Sequence, residues 1–242
     1  MKRVGFSSGA IAYGDFNGAL ETLAGKNVSC LELSALRVSE LRPLIDAIPL
    51  LDLASYSYVS FHAPSSFSKE DELWVADLLF REVPENWPIV IHPDTIHDYQ
   101  VWIRFGSRLA IENMDRRKPI GRTAKELAVI FRELPEAALC FDIGHARQCD
   151  PTMTEAFLIL SQFQDKLVQV HVSEVNSSSQ HDPISYGAKI AFQQIAAMIP
   201  NNVPLIIESR VSSDQMASEI QIASEALTAR TVEHSELAEL VA

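Results

Sequence analysis

The feature that most constrains the fold is a repeated alternation of short apolar runs with segments of helical periodicity. Each apolar run has the length of a β-strand and is followed by a polar turn and an amphipathic stretch. The eight runs span residues 4–8, 30–34, 58–64, 88–93, 108–113, 137–142, 167–174 and 204–210. Apolar strands that alternate with helices form parallel sheets with right-handed crossovers, and eight such units close into a barrel. The sequence therefore predicts an α/β fold, a single (β/α)8 TIM barrel.

The segments between the runs carry helix signals. Helical patterns cover residues 15–24, 188–198 and 213–230, an aromatic segment covers residues 97–105, and further helices begin at about Ser39 and at Ser68. Two pairs with capping-box spacing, Thr123 with Glu126 and Thr152 with Glu155, predict two more helix starts. We therefore expect a helix after each strand.

A doubly wound open sheet is the alternative arrangement of such units. That fold binds dinucleotides through a G-x-G-x-x-G motif after its first strand, and no such motif follows the first run here. No shift of composition and no linker divides the chain. We expect one barrel domain over residues 1–230 and an acidic tail over residues 231–242.

The charge and the cysteine content restrict partners and compartment. A net charge of -12 disfavours nucleic acid as a partner, because proteins that bind it need a basic face to displace counterions. Cys30, Cys140 and Cys149 lack metal-finger spacing and indicate reduced thiols. No signal-like region or membrane-length run is present in the sequence. These features predict a cytoplasmic protein with no membrane contact, and a homodimer formed through exposed barrel helices is left open.

The stretch CFDIGH, residues 140–145, is the first candidate for a functional site. It predicts a buried strand from which the carboxylate of Asp142 emerges, and then a tight turn at Gly144 that brings His145 back to the same point. The Asp-x-x-His spacing alone is a weak signal, because an Asp before a glycine turn often only ends a strand. It gains weight because other strands end in similar residues.

Imidazoles and carboxylates occur at the ends of six predicted strands, which would all meet at one mouth of a barrel. They are His62, His92, Glu112, Asp142 with His145, His171 and Glu208, and the loop after the seventh strand adds His181. Clustered carboxylates are costly to bury unless a cation neutralises them. Mixed nitrogen and oxygen ligation suits zinc or manganese better than calcium. The pattern predicts a site for one to three divalent ions.

The order of these residues resembles that of the xylose isomerase-like barrel superfamily, and most closely its endonuclease IV branch (AP endonuclease family 2). The resemblance is carried by the motifs in which four predicted strands end: FHAP on the third, IHP on the fourth, Glu-Asn on the fifth and Asp-x-x-His on the sixth. It implies three ligand sets: His62, His92 and Glu112; Glu112, Asp142, His171 and Glu208; and a third that includes His145 and His181. Ser179 stands where that branch has an aspartate, and Asp182 is the candidate to replace it.

The sugar isomerase and epimerase branch of the superfamily shares a smaller set. Resemblance to it implies a single ion held by Glu112, Asp142, His171 and Glu208. Glu112 and Glu208 would then move a proton beside a metal-polarised carbonyl as paired acid and base. The residues expected to orient the sugar are His145, Glu32, Tyr13, Arg147 and Glu174, and Glu32 is expected to end the second strand.

Three functions follow from the sequence. We place first a divalent-metal-dependent isomerase or epimerase of a small sugar or sugar phosphate, because a compact acidic barrel has no visible apparatus for DNA. The second is a multi-zinc phosphoesterase of the endonuclease IV type, acting on a small phosphoester or on abasic DNA, which accounts for His62 and His92. The third is a barrel that binds metal or sugar without catalysis.

Overall fold

The chain folds into a closed barrel of eight parallel strands, as a computed structural model that describes residues 2–228 shows. The barrel strands are β1 (Val4–Ser7), β2 (Cys30–Ser34), β3 (Tyr58–His62), β4 (Ile89–Ile91), β5 (Leu109–Glu112), β6 (Ala138–Asp142), β7 (Leu167–Val172) and β10 (Leu205–Ile207). The loop after β7 contains a two-stranded hairpin of β8 (Glu174–Val175) and β9 (His181–Asp182). The barrel order is β1, β10, β7, β6, β5, β4, β3, β2, and β2 pairs with β1 to close it. The predicted (β/α)8 barrel is confirmed.

Helices surround the barrel. They are α1 (Ser8–Ala12), α2 (Phe16–Leu23), α3 (Val38–Ala47), α4 (Lys69–Glu82), α5 (Tyr99–Trp102), α6 (Ala124–Glu133), α7 (Ile143–Cys149), α8 (Thr154–Phe163), α9 (Tyr186–Gln193) and α10 (Met216–Ala226). The predicted cap of α6 is present, since the Thr123 side chain accepts from the Glu126 N–H at 3.2 Å. Within residues 2–228, no helix is both long enough and apolar enough to cross a membrane. The predicted acidic tail, residues 231–242, lies outside the described residues and stays a prediction.

Strand parity decides which side chains face the inside of the barrel. Successive side chains on a strand point to opposite faces. Ile89, Ile91 and Ile111 join the large apolar cluster between strands and helices, whereas Val90 and Ala110 join a small cluster inside the barrel. Two residues further along the inward-facing series, each strand reaches its C-terminal end. On β4 and β5 this series therefore reaches His92 and Glu112, two of the candidate ligands.

Two local predictions were wrong. Gly144 does not form a turn, because α7 begins at Ile143 with Asp142 as its N-cap. Thr152 does not cap α8, because Met153 occupies the N-cap position in a left-handed conformation, at φ 63°. The Glu155 carboxylate instead accepts from the Ala124 N–H of the neighbouring helix. Glu155 thus makes a hydrogen bond to a residue distant in the sequence, in place of the capping box predicted with Thr152.

Several element boundaries also differ from the predicted ones. The helix predicted over 188–198 spans Tyr186–Gln193 and is followed by a separate 3-10 turn at Ala196–Met198. The last helix begins at Met216 rather than at 213. The seventh strand ends at Val172, so that Glu174 belongs to the hairpin. That hairpin places His181 over the mouth of the barrel.

Candidate metal centre

A cavity of about 260 Å³ opens at the C-terminal end of the barrel. Its floor is made by strand-end residues, and its rim by the loops after β1, β5, β7 and β10. The lining includes, in addition to apolar residues, Ser7, Tyr13, Ser34, His62, His92, Asp115, Arg117, Lys118, His145, Ser179, His181, Glu208 and Arg210. The strand ends thus form one polar bowl.

Glu112 lies among the strand-end side chains, at the end of β5, with a side chain only 2% exposed, and it is not one of the residues that line the cavity. Its Oε2 is 3.1 Å from His62 Nε2 and 3.4 Å from His92 Nε2. Its Oε1 is 3.4 Å from Nδ1 of both His145 and His171. Each carboxylate oxygen therefore faces a different pair of imidazoles.

The strand-end residues form three groups whose ligand atoms lie within 4.8 Å of one another. Two groups share Glu112, and two share Asp142. The groups are His62, His92 and Glu112; Glu112, Asp142, His171 and Glu208; and Asp142, His145 and His181. All eight residues predicted as metal ligands are thus brought together.

Asp142 is held in this bowl by α7 and by the neighbouring strand. Its Oδ1 accepts from the His145 N–H at 2.6 Å, which caps the helix. The Asn113 side chain pairs with both backbone groups of Asp142, donating to its carbonyl at 2.7 Å and accepting from its N–H at 2.8 Å. The His145 ring donates from Nδ1 to the Asn113 carbonyl at 2.9 Å. These bonds leave the second carboxylate oxygen of Asp142 free.

Burial and neighbouring charges shift the pKa values of these groups. Burial opposes a charge on His62, but its hydrogen bond to Glu112 and the nearby carboxylates outweigh burial and raise its pKa to about 9. Burial also opposes a charge on Glu112, yet the imidazoles of His171 and His92 hold its pKa well below the usual range. Burial raises the pKa of Glu208 to about 8. Burial lowers the pKa of His181 to about 3, which keeps that imidazole neutral.

Two buried atoms in the four-residue group fit a cation. Asp142 Oδ2 and His171 Nδ1 are inaccessible to solvent and have no hydrogen-bond partner within residues 2–228. An unpaired buried acceptor is costly, and a divalent ion would satisfy both atoms. The donor set of imidazole nitrogens and carboxylate oxygens matches the preferences of zinc and manganese. The residues present therefore fit a divalent metal.

The conformation of the hairpin determines which carboxylate belongs to the third ligand group. Asp142 lies with His145 and His181, whereas Asp182, the expected replacement ligand, accepts from the Asn176 side chain at 2.9 Å. Ser179 donates to Asp115 at 2.6 Å instead of facing a ligand group. The third group thus takes its carboxylate from β6, not from the hairpin.

The residues expected to contact substrate are dispersed. His145 and Tyr13 line the cavity. Glu32 was expected at the end of its strand, but β2 continues to Ser34. Glu32 therefore lies one layer deeper in the barrel and is fully buried. Arg147 and Glu174 form an ion pair at 2.8 Å that ties α7 to the hairpin. Glu32, Arg147 and Glu174 are not among the residues that line the cavity.

Sequence reasoning missed four charged residues at the cavity: Asp115, Arg117, Lys118 and Arg210. Arg117 is bonded to Asp115 at 3.2 Å and Lys118 to Asp94 at 2.8 Å. Arg210 has no acidic partner among residues 2–228, and its guanidinium lies 4.9 Å from the centre of the exposed Tyr13 ring. Their positions a few residues after Glu112 and Glu208 were the available signal, because loops after strand ends form the mouth.

Comparison with solved structures identifies similar barrels. The IolI protein, solved with a bound zinc atom, superimposes with a TM-score of 0.63 at 11% identity, covering 94% of this chain and 98% of that one. Endonuclease IV from Thermus thermophilus gives 0.55 at 18% identity, covering 93% and 98%. A putative sugar phosphate isomerase/epimerase from Anabaena variabilis gives 0.52 at 12% identity, covering 91% and 88%.

The chain shares the (β/α)8 barrel fold of these three proteins. The predicted resemblance is confirmed at the level of the fold. No protein-family model matches the sequence, and no curated protein matches it. A shared fold does not determine activity, which depends on the residues at the mouth of the barrel.

Proposed function

We propose that this protein is a metal-dependent phosphoesterase that acts on a small substrate. The observation that carries the proposal is that Glu112 belongs to two ligand groups at once: its Oε2 faces His62 and His92, and its Oε1 faces His171. A carboxylate in that position is suited to bridge two ions. Divalent ions, when bound, lower the pKa of water and withdraw charge from a phosphate during in-line displacement.

The same environment argues against a proton-transfer role for Glu112. An acid or base must reach the atom whose proton it moves. Glu208 lines the cavity, but Glu112 is nearly inaccessible and does not line it. A paired acid and base made of Glu112 and Glu208 is therefore poorly supported, although the sequence placed that mechanism first.

The charges at the cavity favour an anionic substrate. Arg210 is a cation at the rim without an acidic partner in the described part of the chain, and the Tyr13 ring supports its guanidinium. We infer that Arg210 binds an anionic group of the substrate and that the Tyr13 ring packs against the rest of the substrate molecule. The cavity volume of about 260 Å³ suits a small molecule, and the net charge of -12 disfavours a nucleic-acid duplex.

Isomerisation or epimerisation of a sugar is the second candidate. The group of Glu112, Asp142, His171 and Glu208 supports it, because four ligands suffice to hold one ion. The fold likeness to IolI and to the putative sugar phosphate isomerase/epimerase is compatible with it. It leaves His62 and His92 without a role.

A metal count and a double variant separate the two functions. The protein would be purified without chelator or histidine tag, and its metal content measured by elemental analysis. We expect two or three ions per chain and hydrolysis of p-nitrophenyl phosphate or its diester. The double variant that carries His62→Ala and His92→Ala should bind one ion fewer, and its rate of hydrolysis should fall by more than about 100-fold.

A matched control is His97→Ala, since His97 is exposed and lies outside all three ligand groups. This variant should keep the metal content and the rate of the unmodified protein. A double variant that retains full activity toward aldoses or ketoses, with one ion per chain, would contradict the phosphoesterase and favour the isomerase.

A further inference from the structure

A buried polar network lies directly beneath the metal-ligand groups. Glu32 is fully buried at the middle of β2, and its Oε2 accepts from three donors. They are Gln169 Nε2 at 2.8 Å, His171 Nε2 at 3.0 Å and Ser60 Oγ at 3.1 Å. The network thus joins the barrel interior to one of the candidate ligands.

Tyr58 determines which groups donate and which accept in this network. Burial raises the pKa of the Tyr58 hydroxyl, so it is protonated and donates. Its acceptor is Gln169 Oε1, at 2.6 Å. The amide of Gln169 is therefore oriented with its nitrogen toward Glu32, which leaves Gln169 Nε2 as a donor.

The two nitrogens of His171 face different surroundings. Nε2 points down to Glu32, and Nδ1 points up, 3.4 Å from both Glu112 Oε1 and Glu208 Oε2. Nε2 is also 2.9 Å from Gln169 Nε2. If Gln169 donated to Nε2, the imidazole proton would have to sit on Nδ1, where it would block that atom as a ligand. The carboxylate of Glu32 can accept from both nitrogens, which removes this conflict.

We propose that Glu32 is a positioning residue that keeps the proton of His171 on Nε2 and thereby presents Nδ1 to the metal centre. Tyr58 and Gln169 support it by fixing the direction of the chain of hydrogen bonds. A carboxylate behind a ligating imidazole orients the ring and raises its basicity. The inference rests on the metal centre of the proposed function, but it holds for hydrolysis and isomerisation alike.

The first test is zinc affinity, measured by competition with a chromogenic chelator on the full-length metal-free protein. Glu32→Gln should weaken binding about 10- to 100-fold, since loss of such a partner has that effect. Ser60→Ala is the matched control, because it removes a hydrogen bond to the same Glu32 oxygen without touching His171. Its affinity should stay within about threefold of the unmodified protein.

The second test is the protonation state of His171 in the unmodified protein loaded with zinc. Two-bond proton–nitrogen NMR correlations, assigned with His171→Gln, should show a proton on Nε2 and none on Nδ1. A proton on Nδ1 would overturn the proposal even if Glu32→Gln failed to fold.

The two tests also separate this proposal from the metal centre itself. Zinc binding that is equal in Glu32→Gln and the unmodified protein would overturn the role of Glu32 alone. Absence of zinc binding in the unmodified protein would overturn both the metal centre and this role.

Discussion

Glu112 and Glu208 are chemically identical residues whose surroundings give them opposite properties. Glu112 is enclosed by imidazoles that lower its pKa well below the usual range. Glu208 stands at the cavity wall, where burial and the neighbouring carboxylates raise its pKa to about 8. Such a pair is typical of functional sites, where environment rather than residue type sets the chemistry.

Cys149 provides a test of burial at a residue outside the ligand groups. Burial, with the nearby Asp115 carboxylate, raises the pKa of its thiol to about 11. Only the thiolate reacts with iodoacetamide, and a raised pKa lowers the thiolate fraction at neutral pH. We expect slow alkylation at pH 8 and a rate that rises about tenfold per pH unit up to pH 10, measured by mass spectrometry.

The control for this measurement is Cys149→Ser. Cys30 and Cys140 are fully buried, so this variant should show almost no alkylation over the same range. Rapid alkylation of the unmodified protein at pH 8, with a midpoint near the ordinary thiol pKa of about 8.5, would contradict the predicted protection.

At the scale of the element, α4 stabilises the loop that carries His92. Glu72 is a buried residue of α4, and one of its carboxylate oxygens accepts from three donors of that loop and of the helix that follows it. The donors are the His97 N–H at 2.7 Å, the Trp102 Nε1–H at 2.9 Å and the Asp98 N–H at 3.1 Å. A helix outside the barrel thus holds the segment after β4.

Glu72→Ala should destabilise the protein strongly. Removal of the carboxylate leaves the buried Trp102 Nε1–H and two partly buried backbone N–H groups without their acceptor, and an unpaired buried group costs about 1–3 kcal/mol. We expect a loss of about 3 kcal/mol or more in the free energy of unfolding, measured by urea denaturation. Hydrogen exchange at the His97 and Asp98 amides should accelerate in the same variant.

Glu70→Ala is the matched control on the same helix. Glu70 is exposed in the first turn of α4, where a negative charge interacts favourably with the helix dipole. Its removal should cost no more than about 1 kcal/mol. Equal effects of the two substitutions would show that the hydrogen bonds of Glu72 contribute little.

At the scale of the whole molecule, the candidate metal centre lies where the ends of six barrel strands meet. Its candidate ligands come from β3, β5, β6 and β7, from the residues just after β4 and β10, from α7 and from the hairpin. An ion that binds only the folded chain stabilises all of these connections together. Metal removal should therefore change global stability, not only activity.

We expect zinc binding to raise the melting temperature, Tm, of the protein. Zinc at about 100 times its dissociation constant contributes about 2.7 kcal/mol. For a chain of this size, that corresponds to a rise in Tm of about 5–10 °C. Scanning calorimetry with zinc and with excess chelator measures it, and the variant with both His62→Ala and His92→Ala should keep only part of the rise. An unchanged Tm on chelation would contradict a metal centre built from these strands.

The sequence by itself determined the barrel and the identity of the strand-end residues. The alternation of apolar strands and helices is a local pattern that repeats eight times, and parallel strands with right-handed crossovers leave few topologies. Strand parity is also local, so the residues His62, Glu112 and Asp142 could be placed at one mouth from the sequence alone.

Only the tertiary structure decided how these residues meet. Glu32 has the sequence context of a strand-end carboxylate, but strand length and register place it one layer lower, against His171. Arg147 and Glu174 bind each other because the hairpin after β7 brings them together. The division of Glu112 between two imidazole pairs depends on residues that are distant in the sequence, His171 among them. Such contacts are set by packing across the barrel, which no local spacing encodes.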